Sequence, residues 1–412
     1  MKIIINMSPA NWLSSADALA LLGVRPQTLY ANVSRRRIRT KPDPQDPRKS
    51  LYHAGDVHRL AARHRGRPSN EQVAAESVSW GNPILPSGVS TVAAGRLWYR
   101  GVDAVRMAEH GSLEDVAGLL WECGPIEIRA GSGDKVRRDA TLDLLEAAYR
   151  LLAARACHSS SMYDLSISLL RAEAAELFGK LTAAMIAAIE RNSSPRRRGC
   201  TGRRGRREIP VRPVHERLAR AWDRPNAADA IRRALVLLAD HELNASTFAT
   251  RVAASTGAPL AACILAGLAT LTGPRHGAAA LSVHRLLEAA AREGAESALL
   301  DALRRGDSIP AFGHPLYPDG DVRACALLDE LKLPPLFEEI RARTEELTGE
   351  LPNVDFALAG LAASASLPPI APFIIFVIAR SVGWIAHALE QSQHSGLIRP
   401  RARYVGPPIM TT

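Results

Sequence analysis

The sequence predicts a mainly α-helical protein, and three observations carry that expectation. Hydrophobic residues make up 47% of the 412 residues while aromatics make up only 5%. The apolar content is rich in Ala and Leu, which lose little side-chain entropy in a helix, and poor in the aromatic residues that favour strands. Apolar residues also recur at helical spacing through most of the chain. Short Gly- and Pro-punctuated segments separate these runs, as loops between helices do. The length leaves room for two or three domains or one large one.

Charge divides the chain unevenly. The net charge is +10, and residues 1–70 hold 13 Lys and Arg against 4 Asp and Glu, a balance of +9. The basic excess therefore belongs to the N-terminal sixth, which suggests an anionic partner for that segment alone. Five cysteines (123, 157, 200, 263 and 325) show no metal-ligand spacing and are odd in number. They fit a reducing cytosol with no disulfides. The start, MKIIINMSPANW, lacks the apolar core of a secretory signal. The longest apolar stretch, Ile370 to Ala379, is too short to span a bilayer and runs into Arg380. It reads as a buried core helix, and no membrane association is expected.

Residues 1–68 form the first expected domain. Leu13, Ala16, Leu19, Ala20 and Leu22 make a helical stripe, with Ser14 or Ser15 as its cap and Asp17 in its first turn. Gly23 ends that helix. Pro26 suits the first turn of the next, PQTLYANVSRRR, with Leu29 and Val33 four residues apart. A Pro- and Asp-broken loop follows, then SLYHAGDVHRLAARH reads as a short strand and a third helix. The segment resembles the winged helix-turn-helix of MerR-like and excisionase-like domains. That resemblance implies DNA contact, with Gln27, Thr28 and Tyr30 near bases and Arg35, Arg36, Arg37 and Arg39 on phosphates. The other reading is a small helical docking module whose basic face is merely solvated. Residues 69–79 are the expected linker, polar and without an apolar period.

Residues 80–412 form the large domain. Alternating residues around Gly95 suggest a short hairpin followed by helices. Ser112 is placed to cap LEDVAGLLW, with Glu114 and Asp115 in the first turn, where carboxylates suit the helix dipole. Residues 137–191 read as a run of Ala- and Leu-rich helices. The stretch 193–212 breaks the pattern: seven arginines between 196 and 207, mixed with Gly and Pro, read as an exposed loop. From Ala228, the stripe Ile231, Ala234, Leu235 and Leu238 forms a buried helix that delivers Asp240, His241 and Glu242 at its C-terminal end. A positive His at such an end is favoured by the dipole.

The chemistry-bearing residues cluster between Asp240 and Asp355: DHELNASTFATR, GPRHGA, FGHPLYPDGDVRA and PNVDF. Taken singly, each has a bland explanation. A lone His near a Gly turn is more often structural, and an Arg on an apolar helix, such as Arg380, often pairs with a core carboxylate. Their order along the chain, continued by IARSVGWIAHALEQ and IRPRARYVG, resembles the citrate synthase family, which includes 2-methylcitrate synthases. LWYRGVD and LEDVAGLLW extend the likeness weakly to the start of the domain. The resemblance implies all-helical large and small subdomains, the small one at about 243–350.

What the family does fits these residue types. It removes a proton from the acetyl-CoA methyl group, adds the carbon to the ketone of oxaloacetate and hydrolyses the thioester to give citrate and CoA. A methyl proton is more than ~10 pKa units weaker than a carboxylic acid, or more than ~14 kcal/mol. A base alone cannot bridge that gap, so a fixed donor must stabilise the enol oxygen in a dry pocket. By resemblance, Asp355 is the base, His276 donates to the thioester oxygen, and His314 polarises and protonates the ketone. His241 matches an oxaloacetate-binding histidine. Arg323, Arg380 and Arg399 match the carboxylate-binding arginines, whose forked guanidinium suits a carboxylate. The family places the last of these in the partner's site, which implies a homodimer. Acetyl-CoA is a substrate; no resident cofactor and no metal are implied. The remaining alternatives are a synthase for propionyl-CoA and a metabolite-sensing, DNA-binding regulator. Arg275, Ala278 and Pro315 depart from the family pattern, no Lys or Arg lies between His314 and Arg323, and residues 1–68 have no counterpart in it.

Overall fold

The computed structural model describes residues 12–35, 37–43, 46, 48–64, 85–124, 126, 144–193, 212–273, 276–277, 279–394, 396–402 and 404–407. The expected linker, almost all of the Arg-rich loop, and Arg36, Arg275 and Ala278 lie outside the described residues. Two compact units emerge: residues 1–86 with 300–308, and residues 87–299 with 309–412.

In the first unit, α1 (Ser15–Leu22) is capped by Ser14, whose hydroxyl accepts the Asp17 N–H at 3.2 Å. Gly23 ends it at φ 61°, a left-handed angle that costs Gly little, with its N–H on Leu19 O. Pro26 opens α2 (Pro26–Ser34), where its missing N–H is no loss. The strand expected at SLYH gains a partner on each side. β3 (Ser50–His53) pairs antiparallel with β1 (Trp12–Leu13) and β2 (Thr40–Pro42), in the order β1-β3-β2. α3 (Ala54–His64) completes the unit, and Ala18, Leu22, Leu29, Ile38, Tyr52 and Val57 form its core. Gln27, Thr28, Tyr30, Arg35 and Arg37 are exposed. Arg39 departs from the expected phosphate-facing role, because the fold claims it. Its Nε donates to the buried carboxylate of Asp56 at 3.0 Å. Burial alone would raise that carboxyl's pKa; hydrogen bonds from His53 and Arg39 outweigh it and hold the group well below the usual range.

The second unit begins with the expected hairpin. β4 (Ser90–Ala93) and β5 (Arg96–Tyr99) are joined by Ala94 and Gly95 at φ 51° and 72°, angles that match the twist of the paired strands. β6 (Val102–Asp103) adds an edge. Asp103 caps α4 (Ala104–His110), and Ser112 with Asp115 forms a full capping box on α5 (Leu113–Trp121). Of the helical run expected at 137–191, residues 137–143 lie outside the described residues, and the rest forms α6 (Leu144–His158) and α7 (Ile167–Ser193), separated by a short 3₁₀ turn. Then come α8 (Val214–Ala221), α9 (Ala228–Leu238), α10 (Ala245–Ala254) and α11 (Leu260–Leu271). Helices α12 (Ala279–Glu293) and α13 (Ala295–Arg304) lead towards α14 (Val322–Leu328), α15 (Pro335–Thr348) and α16 (Val354–Ser364).

The last helix, α17 (Ala371–Ser392), organises this unit. It packs against α5, α7, α9, α10, α11 and α16. Among the described residues it alone is long and apolar enough to cross a membrane, and its apolar window lies wholly inside the protein. The helix runs through Arg380 rather than stopping at it. Each of Ile374, Ile375, Val377, Ile378, Val382 and Ile385 is buried and contributes roughly 1.5–3 kcal/mol. Within that core Arg380 is only 1% exposed.

Candidate active site

Four segments of the second unit converge, each shaped by its local sequence. The first leaves the end of α9. Ile231, Ala234, Leu235 and Leu238 are buried as the stripe predicts, and the chain turns at Asp240 to Glu242, with Glu242 at φ 51°. His241 lies in this turn, its Nε2 3.0 Å from the Tyr317 hydroxyl. Burial, and then the charges of Arg323 and Arg380, push its pKa well below the ordinary value. The expectation of a positive His at the helix end is therefore corrected: buried beside two guanidinium groups, the imidazole stays neutral.

The second segment carries His314. Gly313 takes φ 71°, a left-handed angle that glycine adopts without strain. The His314 ring stands edge-on to His241 at 5.2 Å and tilted to Tyr317 at 5.1 Å. Its Nδ1 accepts the Leu316 N–H at 3.2 Å. The neutral ring therefore carries its proton on Nε2. Burial and Arg323 bring its pKa down to about 4, against a weaker opposing pull from Asp321. Downstream, Asp321 holds Arg323 through two bonds, Nε at 2.9 Å and Nη2 at 2.8 Å. Burial would lower the Arg323 pKa, but the Asp321 carboxylate more than offsets that and holds it above its ordinary value.

The third segment opens α16. Asn353 caps the helix, its Oδ1 accepting the Asp355 N–H at 3.0 Å. The Val354 N–H goes to Asp321 Oδ2, also at 3.0 Å. Asp355 keeps some accessible surface but is closely walled. Among the described residues no donor reaches its carboxylate. Burial raises its pKa to about 6, with Arg323 and Arg380 opposing and Asp321 assisting. That places a carboxylate base near neutral pH, where a general base is most useful.

The fourth segment follows α11. The His276 N–H bonds Gly273 O and the Gly277 N–H bonds Leu271 O, both at 3.0 Å. A Cβ on Gly277 would meet Leu271 O at 2.8 Å, so only glycine fits this turn. His276 Nε2 lies 2.9 Å from Ser246 Oγ. The same oxygen accepts from Trp384 Nε1 at 3.1 Å and donates to Asn244 Oδ1 at 2.8 Å. A hydroxyl has one proton and two lone pairs. With its proton on Asn244, Ser246 accepts from His276 Nε2–H, which leaves Nδ1 of the neutral ring with a lone pair. Donation from Nδ1 requires the Ser246 hydroxyl to turn and supply Nε2 instead. Burial, then Arg380, lowers the His276 pKa to about 4.

Arg380 faces these segments from α17. Its Nε donates to Leu238 O at 2.9 Å. The structure gives its terminal nitrogens no acceptor among the described residues. Its charge reaches His241, His276 and Asp355. The structure thus brings His241, His314, Arg323 and Tyr317 into contact and sets Arg380 within electrostatic reach of His276 and Asp355. Arg399 is not among them: it lies exposed on the C-terminal stretch after α17. Sequence reasoning missed Tyr317, Asp321, Ser246 and Asn353. All four sit inside the quoted motifs, so spacing from the neighbouring His, Arg and Asp was the available signal. Among the described residues no group of three His, Cys, Asp or Glu could hold a metal ion. The chemical content is a largely buried site with one near-neutral carboxylate, neutral imidazoles and two fixed cations.

Comparison with known proteins agrees. The family described as "Citrate synthase, C-terminal domain" matches residues 78–401. The chain is 39% identical over 194 residues to Citrate synthase 2 of Bacillus subtilis (strain 168), covering 44% of this chain and 52% of that relative. It thus spans about half the length of that relative. It is 30% identical over 343 residues to 2-methylcitrate synthase of Mycobacterium tuberculosis (strain ATCC 35801 / TMC 107 / Erdman), covering 75% and 84%. The crystal structure of citrate synthase from Thermotoga maritima MSB8 matches with a TM-score of 0.66 at 24% identity, over 81% of this chain and 96% of that one. At that identity the likeness speaks for the fold. With a family match across residues 78–401, the chain belongs to the citrate synthase family.

Proposed function

We propose that the chain is a citrate synthase-type acyltransferase that condenses acetyl-CoA with oxaloacetate to give citrate and CoA. One observation carries the reading: a closely walled carboxylate, Asp355, with its pKa raised to about 6, shares the field of Arg323 and Arg380 with neutral His241, His276 and His314. In this reading the Ser246 hydroxyl turns to supply His276 Nε2, and Asp355 takes the methyl proton while His276 donates from Nδ1 to the thioester oxygen. The new carbon nucleophile attacks the ketone carbon, and His314 delivers its Nε2 proton to the ketone oxygen. Water then cleaves the thioester. Arg323 and Arg380 take the acceptor's carboxylates, and His241 helps to hold it. Because the three imidazoles are neutral, they stabilise developing oxyanions by donation rather than as cations.

The test is CoA thiol release from acetyl-CoA, with and without oxaloacetate, in the wild type and Asp355→Ala. Oxaloacetate-dependent release that the variant loses supports the reading; no such release in the wild type defeats it. A second acyl chain has support from the match to 2-methylcitrate synthase. Ranking acetyl-CoA against propionyl-CoA by kcat/KM decides between them.

Two further parts belong to the proposal. Residues 1–68 act as a winged helix-turn-helix that binds duplex DNA. The support is the basic balance and the exposed Tyr30, Arg35 and Arg37. A band shift that weakens steeply with salt supports this, and no shift at low salt leaves a docking module. The protein works as a cytosolic homodimer in which Arg399 serves the partner's site. The support is its exposure beside the exposed Leu397, Tyr404 and Val405. If DNA responds to oxaloacetate without turnover, the synthase domain is a sensor rather than an enzyme.

A further inference from the structure

Asp240 and His387 are both wholly buried, and neither has a role in the chemistry above. Asp240 Oδ2 accepts from the Ser90 hydroxyl at 2.5 Å and lies 3.2 Å from His387 Nε2. A carboxylate only accepts, so the imidazole donates there. An ionised carboxylate buried in this way is costly unless a cation offsets it. Arg380, anchored two residues away by its Nε on Leu238 O at 2.9 Å, supplies that cation through space rather than by a direct ion pair. One turn further along α17, Gly383 packs so closely that a Cβ would overlap Asp240 Oδ1. After burial, Asp240 is the largest influence on Arg380, and His387 and Arg380 in turn hold Asp240 ionised against the effect of burial.

The same carboxylate organises the turn that carries His241. Ser90, having given its proton to Asp240, accepts the Glu242 N–H at 2.9 Å. Glu242 Oε1 accepts the Val92 N–H at 2.6 Å and the Thr91 hydroxyl at 3.0 Å. The Gly383 N–H closes the other side on Ala239 O at 3.0 Å. His241 is held in the middle, between the hairpin and α17.

We propose that Asp240 is a positioning residue for the dicarboxylate subsite, compensating the Arg380 cation and fixing the His241 turn, with His387 clamping its carboxylate. This rests on the oxaloacetate reading. Asp240→Asn keeps the shape and removes the charge, whereas Ser90→Ala keeps the charge and removes two bonds, the one to Asp240 and the one from the Glu242 N–H. In the full chain, steady-state kinetics are measured with oxaloacetate varied, together with calorimetric oxaloacetate binding and a thermal melt. Asp240→Asn is expected to raise the KM and Kd for oxaloacetate about tenfold or more, with kcat and the KM for acetyl-CoA changed less than about threefold. Ser90→Ala, which loosens the His241 turn but keeps the charge, is expected to lower the melting temperature and to raise the oxaloacetate KM and Kd by clearly less than Asp240→Asn does. Unchanged oxaloacetate KM and Kd in Asp240→Asn overturns the proposal. So do equal losses in the two variants, which would mean packing rather than charge. Should Asp240→Asn not fold, His387→Ala is read instead: a rise in oxaloacetate KM that His387→Gln reverses supports the proposal, and no rise overturns it. A wild type that neither turns over nor binds oxaloacetate overturns the substrate reading and this inference with it, whereas a wild type that binds beside an unaltered Asp240→Asn overturns this inference alone.

Discussion

The side-chain amide of Asn353 donates to the Gly313 carbonyl oxygen at 3.1 Å. Gly313 precedes His314, and Asn353 also caps the helix that carries Asp355. One residue therefore sets the register between the proposed acid and the proposed base. The Asn353 N–H adds a third tie, to Ala311 O at 2.9 Å.

Asn353→Ala removes both side-chain bonds. The lost cap should cost about 0.5–2 kcal/mol of stability. Turnover should fall further than unfolding explains, about tenfold or more, because reacting groups held loosely lose their alignment. A thermal melt beside the CoA-release assay checks this. A turnover that simply follows the folded fraction would show that the register argument is wrong.

Asp355→Asn should abolish turnover and stabilise the protein at neutral pH. The Asp355 pKa rises on folding from 3.8 to about 6, so the folded state binds the proton more tightly. Stability attributable to this group is full below about pH 4 and is lost as pH rises through about 6. At pH 7 the penalty is about 3 kcal/mol, which the amide removes. Denaturant melts of both proteins should diverge at pH 7 and converge near pH 4. In the wild type, kcat/KM should rise with pH through about 6. A flat profile there would argue against Asp355 as the base.

Ser246→Ala removes the hydroxyl shared by His276, Trp384 and Asn244. His276 Nε2 then has no fixed partner, and the tautomer of the ring is no longer set by the protein. A kcat loss of about tenfold to a hundredfold is expected, with the KM for oxaloacetate little changed. A variant of wild-type kcat would release Ser246 from any part in orienting His276.

Tyr317→Phe keeps the ring beside His314 and beneath Arg323, whose guanidinium carbon lies 5.3 Å from its centroid. It deletes only the hydroxyl on His241 Nε2. Leaving that buried nitrogen without its partner should cost about 1–2 kcal/mol. The KM for oxaloacetate should rise about fivefold to thirtyfold, and kcat less. Equal loss in both would place the hydroxyl on the reacting atoms instead.

The caps and the periodicity were open to sequence reading because they act within one turn. Ser14, Gly23, Pro26, Ser112 and the buried stripe of α9 do locally what their residue types require. The His, Asp and Arg of the site were legible as motifs for the same reason. What each motif residue does was not, because protonation and pairing depend on neighbours distant in sequence. His241 sits at a helix end that favours charge, yet burial beside Arg323 and Arg380 makes it neutral. Arg39 lies in a basic cluster, yet Asp56, 17 residues away, claims it.

By itself, then, the sequence determined helix after helix, their caps, and the set of reactive side chains. The tertiary structure decided which charges meet. It set Asp240 and Leu238, from the end of α9, against His387 and Arg380 of α17, some 140 residues later. It also closed Asn353 onto Gly313 and raised the pKa of Asp355 by walling it in. Electrostatics and desolvation act through space, and only folding brings those groups within reach of one another.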